Sequence, residues 1–368
     1  MKIGVLGTRG IPNHYGGFEQ FAEFFATYAA SCGHEVVVYN SHTHPYKEKN
    51  FKGVQIVHCY DPEIKIGTAG QFFYDLNCIL DARKRDFDII LQLGYTSSSV
   101  WFSLHPKNAI VITNMDGLEW KRTKYSKKVQ KALQIAERLA VKKSDFLIAD
   151  SIGIQKYIKE KYQKESTYIA YGAHNFDNPN PEILKEYQVE KEKFNMIMAR
   201  FEPENNLDMV LEGVTMAEDK TPILVIGNHN TKYGSYLKNK FEAFSHIRFL
   251  GAVYNLDHLN NLRYYSNLYF HGHTVGGTNP SLLEAMASNA LIAAHNNDFN
   301  KGVLKENAYY FSNADEVKKI LNSIKKSDNL QFVANNYNSI ASTFNWEKIN
   351  EQYLQLFKQC LEGFSRRK

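Results

Sequence analysis

A chain of 368 residues is too long for one ordinary compact domain, and at roughly 150 residues per domain it divides into two or three, with two the working number. Hydrophobic residues make up 43% and charged residues 23%, with a mean hydropathy of -0.43, a globular composition that argues against collagen, coiled coil and disorder. The 44 Lys and Arg against 39 Asp and Glu leave +5, too mild to imply a nucleic-acid partner but compatible with an anionic ligand or membrane surface.

Neither a membrane span nor a secretory signal is expected: the opening apolar run stops at Leu6, which predicts a cytoplasmic chain. The four cysteines, Cys32, Cys59, Cys78 and Cys360, lie far apart without CxxC spacing and read as reduced fillers, not a zinc cage or a disulfide framework. The chain opens as strand, glycine loop and helix. Ile3 to Leu6 is apolar, Gly7 to Gly17 carries four glycines and Pro12, and Phe18, Phe21, Ala22 and Phe25 recur at helical spacing. Apolar runs at Val36 to Tyr39, Val54 to Val57, Ile89 to Leu93, Ile110 to Ile112 and Phe146 to Ala149 alternate with helical stretches, the pattern of βα units around a parallel sheet. Between Lys121 and Lys143 nine Lys or Arg face one acid, Glu137, which predicts a basic helix that is either simply solvated or a contact for anionic lipid.

Turn residues gather near Ala173 to Pro181, and the pattern then restarts with strands at Asn195 to Ala199, Ile223 to Ile226, Ile247 to Leu250 and Leu268 to Phe270 and a helix at Leu207 to Val214. The expected division is 1–178, 179–345 and a tail, 346–368, whose helical pattern crosses back to the first domain. The fold class is α/β, built twice.

Four segments could carry chemistry. In Phe270 to Ala287, Asn279 is a preferred N-cap and Pro280 suits the first helical position, so a helix starts there after the Gly276-Gly277 turn. Free amides and the positive dipole end make such a start a site for phosphate, and Glu284, one turn further in, can accept from sugar hydroxyls; packing alone is the alternative. Arg200 follows the first strand of the second half, where open α/β sheets bind ligands, and offers fixed donors to phosphate, while Asn205 can only hydrogen-bond. The loop Gly7-Thr8-Arg9-Gly10-Ile11-Pro12 with Tyr15-Gly16-Gly17 does not match GxGxxG, which disfavours NAD, though Gly16 and Gly17 can leave amides free before a helix. Asp116 and Glu119 follow the Ile110 strand and suit an acceptor hydroxyl, with Trp120 offering a face to a sugar ring; Asp116-Gly117 is also an ordinary turn pair. Two tempting metal signals are discounted. Asp86-Phe87-Asp88 reads as carboxylates capping a strand, and His271 and His273 alternate across a strand end and so point apart, so no metal is implied.

The glycine loop ending in Gly16-Gly17, the Arg200 to Asn206 segment and Asn279 to Ala287 together resemble the retaining glycosyltransferases of family 4, over most of the chain. Gly7 to Pro12, Asp116-Gly117-Leu118-Glu119-Trp120-Lys121-Arg122 and Gly276 to Ser281 are more similar still to a bacterial rhamnosyltransferase-like subgroup. The resemblance implies a GT-B fold, two Rossmann-like domains with parallel sheets facing a central cleft, the first for the acceptor and the second for a nucleotide-sugar donor. It implies that Arg200 neutralises the donor diphosphate, Glu284 holds the ribose and the amides of Gly277 to Ser281 approach phosphates or sugar. Arg200, Glu284 and Asp116 are then the catalytic candidates. Gly16, Gly17, Asn205, His273, Gly276, Gly277, Thr278, Asn279 and Ser281 are donor contacts, and Arg9, Glu119 and Trp120 acceptor contacts.

Two positions depart from the family pattern: Gly276 stands where a glutamate is usual and Asn205 where a lysine is, with His273, Thr278 or Arg9 to compensate and a deoxysugar donor as the fit. The implied reaction moves L-rhamnose from a dTDP donor, as substrate and without a further cofactor, to a saccharide or lipid-linked saccharide in surface polysaccharide synthesis. A peripheral contact of helix 121–143 with the inner face of the membrane would accompany it. An epimerase of the same fold and a non-catalytic nucleotide-sugar sensor are the alternatives.

Overall fold

A computed structural model describes residues 1–14, 16–122 and 125–365, the last two by backbone alone. Tyr15 of the glycine loop, Lys124 of the basic run and the last three residues of the expected tail helix lie outside the described residues. The chain forms two compact units, one of 1–121, 125–171 and 346–368, the other of 122–124 and 172–345. The expected boundary at 178 moves to Gly172, because Ala173 N–H donates to Phe344 O at 2.8 Å and so already belongs to the second unit.

The first unit is an eight-stranded sheet. In chain order its elements are β1 (Lys2–Leu6), α1 (Gly17–Ser31), β2 (Glu35–Ser41), β3 (Asn50–Phe51), β4 (Val54–Cys59), α2 (Glu63–Ile66), α3 (Gly70–Ala82), β5 (Ile89–Leu93), β6 (Ile110–Asn114), α4 (Lys127–Lys143), β7 (Phe146–Ala149), α5 (Ile152–Tyr162) and β8 (Thr167–Tyr168). The strand order is β3-β4-β2-β1-β5-β6-β7-β8, parallel except for the β3–β4 pair. Strands such as Ile89 to Leu93 are apolar without alternation because helices cover both faces of a parallel sheet. The basic helix begins at Lys127, where the Ser126 hydroxyl accepts from Val129 N–H; Glu119–Lys121 is a separate turn of 3-10 helix. The carboxy-terminal helix Trp346–Ser365 belongs to this unit: the Tyr353 ring packs tilted on Phe21 and the Phe357 ring edge-on to Phe25 of α1, and Asn114 Nδ2 donates to Tyr353 Oη at 2.9 Å.

The second unit holds α6 (Ile183–Glu186), β9 (Asn195–Met198), α7 (Leu207–Met216), β10 (Ile223–Ile226), α8 (Lys232–Lys240), β11 (Ile247–Gly251), α9 (Leu256–Tyr265), β12 (Tyr269–His271), α10 (Pro280–Ala287), β13 (Ile292–His295), α11 (Asp298–Leu304), β14 (Tyr309–Phe311), α12 (Ala314–Ser323) and α13 (Leu330–Ser342). Its parallel sheet runs β11-β10-β9-β12-β13-β14, over a core that includes Ile197, Val210, Val225, Phe270 and Phe311. The strand order reverses direction at β9, which lies between β10 and β12. The loops leaving the carboxyl ends of β9 and β12 therefore bound the crevice where open α/β sheets take ligands.

Candidate functional site

Two loops build this crevice. After β9 the chain runs through Arg200 to a 3-10 turn, Pro203–Asn205, and after β12 through Gly272 to Thr278 before α10. Hydrogen bonds stitch them together: Asn206 Nδ2 donates to Gly272 O at 2.7 Å, and Thr274 gives both its N–H and its hydroxyl to Glu204 O. A Cβ on Gly272 would meet Asn205 O at 2.2 Å, so only glycine lets the loops approach this closely. Asn205 is buried and donates its amide to Arg200 O at 2.8 Å, so it fixes the Arg200 loop instead of facing a ligand as expected. The Arg200 side chain is exposed, and among the described residues its guanidinium has no ion-pair partner.

The helix start follows the sequence reading with one change. Asn279 caps α10, its Oδ1 accepting from Ser281 N–H at 3.0 Å and Ser281 Oγ at 2.9 Å, while the Leu282 and Leu283 amides turn back to Asn279 O. The cap thus engages the Ser281 amide and hydroxyl that were expected to meet the donor. The amides of Gly276, Gly277 and Asn279 donate to nothing among the described residues. Gly276 has φ +141°, and a Cβ there would meet nothing within 4 Å, so this run of amides borders open space. Thr278 is buried beside it. Unbonded amides at a helix start suit an anion.

Glu284 is aimed by a residue that the sequence reading missed. The wholly buried Arg263 of α9 places Nη2 2.6 Å from Glu284 Oε2, while its Nη1 donates to Asn260 Oδ1 at 2.8 Å. A signal existed: Arg263 lies on the apolar stripe of α9 with Leu259 and Leu262, where an unpaired guanidinium would be costly. The other Glu284 oxygen keeps its acceptor capacity.

The two histidines correct an expectation. The His271 and His273 rings do not point apart; they stack at 4.4 Å with 17° between planes, because Gly272 ends the strand and breaks its alternation. Both His271 nitrogens and His273 Nδ1 are buried without a hydrogen-bond partner. Burial first, then the Arg200 and Arg122 guanidiniums, lower the His273 pKa to about 3; burial, His273 and Arg263 hold His271 well below its usual range. Both rings are therefore neutral at pH 7. Among the described residues no group of three or more His, Cys, Asp or Glu could hold a metal.

In the first unit Gly16 and Gly17 open α1 at the carboxyl end of β1, where Glu19 accepts from Thr8 Oγ1 at 3.1 Å and Arg9 N–H at 2.7 Å. Arg9 differs from expectation. Its guanidinium bridges Asp61 at 2.9 Å and also Glu63, so it anchors the start of α2 and does not stand free for an acceptor. Nearby, the buried Asp75 accepts from Ser97 Oγ at 2.6 Å, and burial raises its pKa to about 6 against the opposing pull of that bond and of Arg9.

Asp116 and Glu119 follow β6, half-buried, with Asp116 at φ +36°. Trp120 does not offer a bare face. Its Nε1 donates to Glu137 Oε2 at 3.0 Å, and the ammonium groups of Lys121 and Lys161 sit 5.6 and 5.2 Å from its ring. Glu137 turns inward from α4 and also accepts from Tyr157 at 2.7 Å, Tyr162 at 2.5 Å and Lys161 at 3.0 Å. The lone acid of the basic helix thus holds the Trp120 turn. Asp88, read as capping the Ile89 to Leu93 strand, accepts instead from Lys2 N–H at the start of β1 at 2.7 Å.

The comparisons with known proteins bear on both units. Residues 180–339 match the family "Glycosyl transferases group 1", and residues 1–174 match a "Domain of unknown function", DUF1972. The fold is GT-B. Sucrose-phosphate synthase from Thermosynechococcus elongatus is similar with TM-score 0.78 at 15% identity, over 98% of this chain and 99% of that one. HepE from Anabaena in complex with UDP gives 0.74 at 14%, over 98% and 100%. The α,α-trehalose 6-phosphate synthase from Burkholderia multivorans gives 0.73 at 10%, over 100% and 98%. No curated protein sequence matches the chain significantly. These structures, at 10–15% identity, share the fold of this chain.

Proposed function

We propose that the chain is a retaining glycosyltransferase that moves a sugar from a nucleoside diphosphate donor to a hydroxyl of a saccharide or lipid-linked saccharide, with L-rhamnose from dTDP as the donor. The observation that carries this reading is the crevice at β9 and β12. There a guanidinium free of ion pairs among the described residues, the unbonded amides of Gly276, Gly277 and Asn279 and a carboxylate fixed by a buried arginine lie within the segment that matches the group 1 glycosyltransferase family. Arg200 and the amides of Gly276, Gly277 and Asn279 receive the diphosphate, and Glu284 accepts from the ribose hydroxyls. The neutral His273 offers a hydrogen bond to the sugar.

As the bond from the anomeric carbon to the phosphate oxygen lengthens, negative charge grows on the leaving diphosphate, and donors fixed in advance lower the barrier. The bond to the acceptor oxygen forms on the same face, and the acceptor proton passes to the departing phosphate oxygen. Asp116 and Glu119 orient the acceptor. The solved HepE structures contain UDP and UDP-glucose, which supports the diphosphate-sugar class and makes the base a matter for experiment. Gly276, without a side chain where the family resemblance implies a glutamate, suits a donor with fewer hydroxyls to bind. On the exposed face of α4, Lys128, Lys131, Arg138 and Lys142 recur at helical spacing and suit peripheral contact with anionic lipid.

The test is a thermal-shift comparison of dTDP, UDP and GDP with the native chain and Arg200→Ala. One nucleotide, dTDP on this reading, raises the native melting point, and the variant loses that shift. Release of free dTDP only when a saccharide acceptor is present then separates transfer from a sensor. If no nucleotide raises the native melting point, the reading fails.

A further inference from the structure

The first unit carries an apolar shoulder that its fold does not cover. Tyr60, Ile64, Ile66, Phe72, Phe73 and Val100 are all exposed, Ile64 to 82% and Phe73 to 51%. Such side chains scattered singly mean little, but Tyr60 lies on the approach to α2 and the others belong to α2, α3 and one 3-10 segment, Ser99–Leu104, with α3 packed on both. The shoulder is held firmly. Trp101 Nε1 donates to Phe72 O at 2.8 Å, Asn77 Nδ2 donates to Tyr60 O at 2.9 Å, and Arg9 clamps the approach to α2 through Asp61 and Glu63.

The same 3-10 segment packs on α4. The exposed stripe of that helix is Lys128, Lys131, Ile135, Arg138 and Lys142, while its one acid, Glu137, is turned inward under Trp120 and Tyr157. An apolar surface continuous with a cationic one, its acid withdrawn, matches an anionic lipid bilayer: acyl chains beside headgroup phosphates. A second copy of this chain would set the α4 cations against their like.

We propose that the α2–α3 shoulder inserts into the interfacial region of an anionic membrane, with the α4 stripe on the headgroups. The inference deepens the peripheral-membrane reading of α4 and rests on it, while adding a hydrophobic anchor that charge alone does not supply. Because Arg9 ties α2 to the loop after β1, the anchored surface adjoins the carboxyl end of the first sheet, so a lipid-linked acceptor would be presented there.

The test is flotation of the full chain with vesicles of phosphatidylcholine alone and of phosphatidylcholine with phosphatidylglycerol. The native chain is expected to float with the anionic vesicles and to keep part of that binding at high salt, where headgroup attraction is screened. Ile64→Glu with Phe73→Glu, both at exposed positions, is expected to lower partitioning at least about tenfold and to abolish the salt-resistant part. Lys128→Glu with Lys131→Glu is expected to remove the salt-sensitive part, about fivefold per lysine. Ile64→Ser with Phe73→Ser serves if the glutamate pair does not fold, and an unchanged near-ultraviolet circular dichroism spectrum certifies the fold of each variant. Three results would overturn the proposal: no flotation of the native chain, equal flotation of the Ile64/Phe73 variants, or a native dimer that those variants dissociate while vesicle binding stays the same. Each leaves the nucleotide shift intact, so the membrane inference can fail while the glycosyltransferase reading stands.

Discussion

The Arg263–Glu284 pair makes an asymmetric prediction. Glu284→Ala leaves the guanidinium of Arg263 wholly buried with its charge unmatched, whereas Arg263→Met leaves a carboxylate that is 24% exposed and can turn to water. Removing one partner of a buried ion pair costs about 3–5 kcal/mol, which sets the Glu284→Ala penalty. Losing a hydrogen bond to a charged group costs about 1.5–3 kcal/mol, which sets that of Arg263→Met. For a unit of this size each kcal/mol lowers the melting point by about 2–4 °C, so the expected losses are about 6–20 °C and about 3–12 °C, in that order. The double variant removes both charges and should be less destabilised than the sum of the singles by about 2 kcal/mol, the coupling expected of a contacting charged pair. Urea denaturation with and without nucleotide reads both quantities, since the transition that nucleotide delays belongs to the second unit. Should Glu284→Ala melt within about 1 °C of the native chain, or the two losses simply add, Glu284 is not held by Arg263 and its aim toward a ribose loses its physical basis.

Two pH-dependent predictions follow from buried groups. An unfolded histidine takes up its proton near 6.5 but native His273 only near 3, so between these values the unfolded chain binds more protons and stability falls as pH drops. His273→Asn should flatten the loss measured by urea denaturation from pH 6.5 to 4; an unchanged slope would show that His273 is not buried neutral. Asp75 has the opposite sign. Its native pKa is raised to about 6 from 3.8, so the folded chain holds the extra proton and stability is lost as pH rises through 6. Asp75→Asn, which keeps an acceptor for Ser97, should therefore stabilise the protein by up to about 3 kcal/mol at pH 8 and by nothing at pH 3. Equal melting points of variant and native chain at pH 8 would refute it.

What the sequence disclosed was local, and what it hid was tertiary. Asn279-Pro280 announces a helix start because an N-cap and a fixed φ are properties of adjacent residues, and α10 begins there. Apolar runs such as Ile89 to Leu93 and Ile223 to Ile226 announce buried parallel strands for the same reason. The short strands β13 and β14 went unread because Ile-Ala-Ala-His and Tyr-Tyr-Phe carry little pattern of their own and gain strand geometry from their neighbours, β13 from β12 and β14 from β13. Arg9 and Trp120 were legible as loop residues, but not their partners: Asp61 lies 52 positions from Arg9 and Glu137 lies 17 from Trp120. The alternation that sent His271 and His273 apart fails because it holds only while the strand continues, and this one ends at His271. Spacing tells which side chains share a face within one element. It does not tell which charge the fold sets opposite them.

Both departures from the family pattern have a physical consequence in the crevice. A lysine at position 205 would add a second cation beside the diphosphate. Asn205 instead donates to Arg200 O, trading charge for a loop held in one conformation. A glutamate at position 276 would place an acceptor for sugar hydroxyls over the loop. Gly276 leaves that space empty and keeps its φ of +141°, a value that side chains rarely adopt. The crevice therefore has less charge and more backbone than the pattern it resembles. On the proposed function, fixed amides act without the reorganisation that a long lysine needs, so leaving-group stabilisation would lean on geometry and on the exposed Arg200 guanidinium, which has no ion-pair partner among the described residues. A planar five-donor fork is not replaced by an ammonium at that place, so the same crevice that tolerates the loss of the lysine is the one least able to tolerate the loss of Arg200.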